Sequence, residues 1–211
     1  MEHRRHIAER VRALLEDRDA QPGDRLPPER DLAAQLGVSR PSLREGLARL
    51  SDLGIIESRH GSGTYLAEVD LEDLVMVRLR LEPLAARLAA ERRSDGDLEV
   101  LDDAYAALAA TEDDPKAFAD ADLAFHMAVT DVSASPSLSI LVSTLSDLLR
   151  HSRAVTVSDA ALRRNAVRQS RRILAAIRAA DPDAAEQAMH DHLKRVEATV
   201  AEPSATPKSR A

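Results

Sequence analysis

A chain of 211 residues, 44% of them hydrophobic, is long enough for two modest domains with real cores, and with two Phe, two Tyr and no Trp those cores fall to Leu, Ala, Val and Ile, a composition that favours helix. The absence of Cys excludes a disulfide framework, a thiolate metal site and a thiol nucleophile, and no apolar run approaches the roughly 20 residues of a membrane span, so a soluble cytoplasmic protein is expected. The net charge of −7 argues against nucleic acid taken alone, but residues 1–69 carry 11 basic and 12 acidic residues against 18 and 24 in the remainder, so the acid lies mostly outside the first third.

In chain order, Ile7, Val11, Leu14 and Leu15 mark a first amphipathic helix, which Pro22-Gly23-Asp24 breaks. The run from Leu26 to Leu36 starts a second, with Pro27 and Pro28 in its first turn, where a missing amide hydrogen is tolerated. Gly37 can adopt the left-handed conformation that ends this helix, and Ser39 can cap a third through its hydroxyl, with Pro41 again in a first turn. Val38, Leu43, Leu47 and Leu50 recur at helical spacing, whereas Arg40, Ser42 and Arg44 point elsewhere from the amino-terminal end. A solvated amphipathic helix and a helix that enters a DNA major groove share this pattern. Downstream, Gly54-Ile55-Ile56-Glu57-Ser58 and Thr64-Tyr65-Leu66-Ala67 are β-prone runs joined by the glycine-rich loop Arg59-His60-Gly61-Ser62-Gly63, which reads as a hairpin. Three helices and a hairpin make a winged helix-turn-helix over residues 1–69.

The run from Leu26 to Leu66 resembles, almost end to end, the DNA-binding domain of GntR-type bacterial transcription regulators. That resemblance implies DNA contact by Arg30 on the second helix, by Ser39, Arg40, Ser42 and Arg44 at the start of the third, and by His60 and Gly61 at the wing tip. Arg40 and Arg44 suit guanine edges or phosphates, and Gly61 lets backbone approach a minor groove. Pro41 and Gly46 depart from the family's usual threonine and alanine, and a glycine within a helix costs about 1 kcal/mol in intrinsic propensity. A homodimer reading two half-sites of a palindromic double-stranded operator is implied.

From Asp70 to Val200 the pattern is helical throughout. A helix over about Leu71–Arg93 carries Val75, Leu79, Leu81, Leu84, Leu88 and Ala89; Ser94-Asp95-Gly96 ends it and Asp97–Ala110 forms the next. Asp114-Pro115 opens a helix to about Val132, Ser135-Pro136-Ser137 one over Leu138 to about Val155, Asp159 one to Ala180, and Asp181-Pro182 the last, to about Val200. The expectation is a mainly α protein: a winged helix-turn-helix with a small β-hairpin, then an all-α antiparallel helical bundle over residues 70–200, and a disordered tail over 201–211.

Three polar side chains do not fit an apolar bundle. Asp122 and His126 stand at i and i+4 on a face shared with Ala119, Leu123 and Val129, and His192 falls on the stripe of Ala185, Ala188, Met189 and Val196. All three should point inward, where polar groups need partners. One carboxylate with two imidazoles can bind zinc, nickel or manganese, but periodicity alone favours the ion-free arrangement, a hydrogen-bonded core histidine and an internal Asp122–His126 ion pair. The segments 77–90, 122–126, 173–177 and 188–193 resemble landmarks of the FCD domain, the all-helical effector domain of the FadR subgroup of GntR regulators. The resemblance implies a divalent transition metal held by one Asp and three His, of which Asp122, His126 and His192 match. Ser170 stands where the fourth ligand is usual, so it either weakens the metal or hydrogen-bonds an organic effector directly, without metal.

The resemblance also implies that Arg78 can reach the effector pocket, and a guanidinium beside a cation suits a small carboxylate. Three classes of function follow. The first is a regulator whose winged domain reads an operator and whose bundle senses a small organic acid. The second is a metal-dependent enzyme with an Asp/His/His centre, opposed by the lack of a further acid or base convincingly placed in the bundle. The third is an architectural DNA-binding protein with a merely dimerising bundle, which would gain nothing from inward polar residues.

Overall fold

The computed structural model describes residues 2–18, 20, 22–68, 70–150 and 159–201. They divide into two compact units: the first takes the described residues up to 68 together with 147–150, and the second takes residues 70–146 and 159–201.

In the first unit, helix α1 (Glu2–Asp17) buries Ile7, Val11 and Leu15, one per helical turn. Helix α2 (Glu29–Leu36) starts three residues later than the sequence pattern predicts: Leu26–Pro28 is extended. Leu26 and Pro27 each precede a proline, which pushes them out of the helical region. The Leu26 amide instead donates to the Thr64 carbonyl at 2.8 Å, and Arg25 forms a bridge with Tyr65, so this stretch is tied to the hairpin. Gly37 ends α2 in the left-handed conformation (φ 61°), as expected. Helix α3 (Arg40–Asp52) is capped by Ser39, whose hydroxyl accepts from the Ser42 amide at 3.2 Å. Strands β1 (Ile56–Arg59) and β2 (Gly63–Leu66) pair antiparallel, Ile56 opposite Leu66 and Arg59 opposite Gly63.

Gly46 has a packing reason. A Cβ there would lie 2.6 Å from Cγ2 of Ile7 and 3.3 Å from the Ala8 backbone nitrogen, so glycine is what allows α1 to lie against α3. The propensity lost by glycine is offset by this close approach, because overpacking a filled site costs about 1–3 kcal/mol.

From residue 71 on the chain forms helices α4 (Leu71–Arg92), α5 (Asp95–Ala110), α6 (Pro115–Val132), α7 (Pro136–Arg150), α8 (Ala160–Arg178) and α9 (Pro182–Ala201), all in the second unit except residues 147–150 of α7. Side chains of Asp70, Asp114 and Asp159 accept amide hydrogen bonds at the starts of α4, α6 and α8. Ser94 and Asp97 form a reciprocal capping box that places Asp95 and Gly96 inside the first turn of α5, earlier than the expected start at Asp97. Helix α9 packs on α4 and α8, α6 on α4 and α5, and α8 also on α4 and α6. The core is Val75, Leu79, Ala86, Ala89, Leu101, Leu108, Phe118, Phe125, Val129, Ile173, Ile177, Met189 and Leu193 with their neighbours.

Leu84, expected on the buried face of α4, is 41% exposed. The inward stripe instead runs through Val75, Arg78, Leu79, Glu82, Ala85, Ala86 and Ala89, so small residues and one ion pair occupy the positions that leucines were expected to fill. Of the helix expected to reach Val155, residues 151–155 lie outside the described residues, as do residues 202–211 of the expected tail. Among the described residues no helix is long and apolar enough to cross a membrane.

Candidate functional site

The first unit presents cations at the start of α3. Arg40 and Arg44 are exposed, and both face Glu29 in the first turn of α2: Arg44 Nε donates to Glu29 Oε2 at 2.7 Å and Arg40 Nη2 lies 4.0 Å from the same oxygen. Arg30 is exposed beside Asp31 at 3.1 Å. Exposed pairs of this kind are worth roughly 0–1 kcal/mol, so the guanidiniums are easily transferred to another anion. The Ser39 hydroxyl is occupied as a cap and shares a 2.8 Å hydrogen bond with the Ser42 hydroxyl. His60 and Gly61 stand exposed in the hairpin turn, with Gly61 at φ 70°. At the base of that turn the Arg59 guanidinium lies over the Tyr65 ring, 4.3 Å from its centroid. Arg25 closes on Gly63, where a Cβ would meet its Nε at 2.7 Å. Neither Arg25 nor Glu29 is identified by the sequence pattern, since one precedes the helix and the other is an ordinary first-turn acid.

The second unit assembles a buried polar cluster from three helices. Helix α4 supplies Arg78 and Glu82, α6 supplies Asp122 and His126, and α9 supplies His192. Each pair on one helix is spaced i and i+4, which stacks it on one face. Glu82 Oε2 lies 2.5 Å from His126 Nδ1. Arg78 donates to both Glu82 oxygens, from Nε to Oε1 and from Nη2 to Oε2 at 3.2 Å. On its other side the His126 ring turns Nε2 toward His192 Nε2 at 3.1 Å and toward Asp122 Oδ1 at 3.8 Å. One ligand atom from each of Asp122, His126 and His192 can be chosen so that all lie within 4.8 Å of one another.

Burial shapes the charges here. Burial alone would raise the Glu82 carboxyl, but the Arg78 guanidinium and the His126 ring outweigh it and hold that carboxyl well below the ordinary range. Burial alone would likewise lower Arg78, and the Glu82 carboxylate beside it raises it instead. For His192 burial wins, with His126 adding to it, and its pKa falls from 6.5 to about 3, so the ring is neutral at physiological pH. Neutral imidazole is the form that ligates a metal. Two nitrogens on one tetrahedral zinc ion at bonds of about 2.0–2.1 Å stand roughly 3.3–3.4 Å apart. The 3.1 Å between the two Nε2 atoms, also a hydrogen-bond distance, is within a few tenths of an ångström of that span, and with the Asp122 carboxylate the two imidazoles make a donor set that fits a divalent cation.

Of the residues singled out from the sequence, Asp122, His126, His192 and Arg78 come together. Ser170 is wholly buried on α8, the helix that packs on α4, α6 and α9, and its hydroxyl has no hydrogen-bond partner among the described residues. Glu82 is the member that the sequence pattern shows only as a neighbour of Arg78. Its signal is its place on the stripe of Val75, Leu79, Ala86 and Ala89.

Residues 3–66 match the gntR family of bacterial regulatory proteins and residues 73–195 match the FCD domain. The chain belongs to the GntR family. Its pairing of domains is that of the FadR subgroup. It is 33% identical to the HTH-type transcriptional regulator LutR of Bacillus subtilis (strain 168), over 87% of this chain and 94% of that protein. It is 32% identical to a protein of Escherichia coli (strain K12) named as a candidate regulator of the L-lactate dehydrogenase operon, over 92% of this chain and 84% of that protein. The solved structure of McbR/YncC of E. coli superposes with a TM-score of 0.80 at 22% identity, covering 94% of this chain and 96% of that one, which confirms the fold class of winged helix-turn-helix and helical bundle. This GntR protein is therefore a transcription regulator with an FCD effector domain, and the metalloenzyme reading of Asp122, His126 and His192 is set aside.

Proposed function

We propose that this regulator binds a palindromic operator as a cytoplasmic homodimer and is released or retuned by a small organic acid. In this reading residues 1–69 are the DNA reader, with contacts from Arg30, Ser39, Arg40, Ser42, Arg44, His60 and Gly61, and residues 70–200 sense the effector and dimerise. The observation that carries the sensing half is the buried convergence of Asp122, His126 and His192. These three would hold one zinc, nickel or manganese ion, which supplies open coordination positions for oxygen ligands.

Charge favours an anionic effector only with the cation present. Arg78 is already matched by Glu82, burial leaves the His192 ring neutral, and the Asp122 carboxylate adds negative charge beside it, which disfavours a carboxylate. A divalent ion reverses that sign and leaves a net positive charge suited to a monocarboxylate. Arg78 offers its remaining donors to such an acid, and Ser170 its hydroxyl. The relative named for the L-lactate dehydrogenase operon supports a small hydroxy acid as the effector class. The unpartnered Ser170 hydroxyl also supports a second reading, in which the effector binds directly and no metal is held.

Native mass spectrometry with elemental analysis, on protein purified without chelator or histidine tag, tests this. The expected result is a dimer with one divalent transition metal per protomer. A dimer that carries an organic acid and no metal moves the site to the direct-binding reading. A metal-free monomer contradicts both the dimer and the metal.

A further inference from the structure

We infer that Glu82 is a positioning residue, which fixes His126 in the tautomer that presents a bare Nε2 to His192 and Asp122. The inference rests on the reading of this cluster as a cation site and adds to it a fourth protein group that touches no ion. A neutral imidazole carries one hydrogen, and the neighbour of each nitrogen decides where it sits. An ionised carboxylate only accepts, so Glu82 Oε2 at 2.5 Å from His126 Nδ1 requires the hydrogen on Nδ1. A bare Nδ1 there would set two lone pairs against each other. The competing donor is Arg78 Nη2, but at 3.5 Å it lies at the outer limit of a hydrogen bond. With Nδ1 protonated, Nε2 holds a lone pair, 3.1 Å from His192 Nε2 and 3.8 Å from Asp122 Oδ1.

Arg78 keeps Glu82 in this role. It contacts both carboxylate oxygens from one turn earlier in α4, and the side chains of Arg78, Glu82 and His126 are 5%, 1% and 1% exposed. A carboxylate so gripped cannot turn to solvent, and its second function after balancing Arg78 is to hold the imidazole. Carboxylates that orient a ligating histidine in this way are worth about 10–100-fold in metal affinity.

The test uses the full-length, chelator-stripped protein with zinc alone as the probe. Nitrogen-15 NMR of histidine-labelled protein, with His126 assigned through His126→Gln, reads the tautomer without metal. Wild-type protein is expected to carry the His126 hydrogen on Nδ1. Glu82→Gln keeps an acceptor and loses the charge, and leaves Arg78 buried without its counter-ion. The double substitution Arg78→Met with Glu82→Leu removes both charges together, which buried pairs tolerate better. In the double variant the Nε2-protonated form should become populated and zinc affinity should fall by about 10–100-fold, with Glu82→Gln between it and wild type. A His126 hydrogen on Nε2 in wild-type protein overturns the inference, as does wild-type zinc affinity in a folded double variant. The wild-type spectrum decides even where a variant does not fold. The expected tautomer in a wild-type protein that binds no zinc upholds the placement of His126 by Glu82 and contradicts the metal reading.

Discussion

Ser170→His should tighten zinc and nickel binding by tenfold or more, a gain of about 1.4 kcal/mol, and His126→Ala should abolish binding in either background. The reason lies in where the two residues stand. His126 contributes the nitrogen that faces both His192 Nε2 and Asp122 Oδ1, so its loss removes the ligand at the centre of the set. Ser170 is wholly buried on α8, one turn before the core residues Ile173 and Leu174, and its hydroxyl satisfies no described partner. An imidazole there restores a neutral nitrogen at the position where the FCD resemblance expects one. The larger side chain also carries an overpacking cost of about 1–3 kcal/mol, so thermal stability without metal should fall while the stabilisation on adding metal should rise. Titration calorimetry on chelator-stripped protein compares the four combinations. If Ser170→His gains nothing and His126→Ala loses nothing, the cluster is a hydrogen-bonded core network and the direct-binding reading replaces it.

Arg40→Ala and Arg44→Ala should each weaken specific operator binding by about 1–3 kcal/mol, with the fold intact. Both side chains are about three-fifths exposed and pair with one glutamate, Glu29, so truncation removes little packing. Ser39→Ala serves as the contrast. Its hydroxyl caps α3, and loss of a cap costs about 1 kcal/mol of stability, so its effect on DNA should come with a lower unfolding midpoint. Fluorescence anisotropy at fixed salt, with unfolding measured on the same samples, separates the two kinds of loss. Unchanged affinity in both arginine variants would remove α3 from the role of reader.

The parts of this fold that were legible in the sequence are those with a local cause. Gly37, Ser39, Asp114 and Asp159 mark helix ends through their own backbone or side-chain chemistry, and each does so in the structure. The misplaced start of α2 shows the limit: proline is equally at home in a first helical turn and in extended chain, and the partner that decides, the Thr64 carbonyl, is distant in sequence. Leu84 fails for a similar reason, because Ala85, Ala86 and Ala89 face inward where α4 runs close to its neighbours, and hydrophobicity alone ranks leucine above them. Inward polar residues were found on α6 and α9 because an acid or a histidine among apolar neighbours stands out. Glu82 is not marked as a site residue by its sequence context, because an Arg/Glu pair at i and i+4 is common on solvated helix faces; only the apolar residues on the same stripe show that it faces in.

The most direct test of the regulator as a sensor is selection of bound duplexes from a random pool by the full-length protein, followed by anisotropy on the selected duplex with and without zinc and L-lactate. The expected result is an enriched inverted repeat whose affinity the acid changes by about 5–150-fold, with the change lost in His126→Ala. Failure to enrich any sequence, or an operator affinity that neither metal nor a small carboxylate moves, would contradict it.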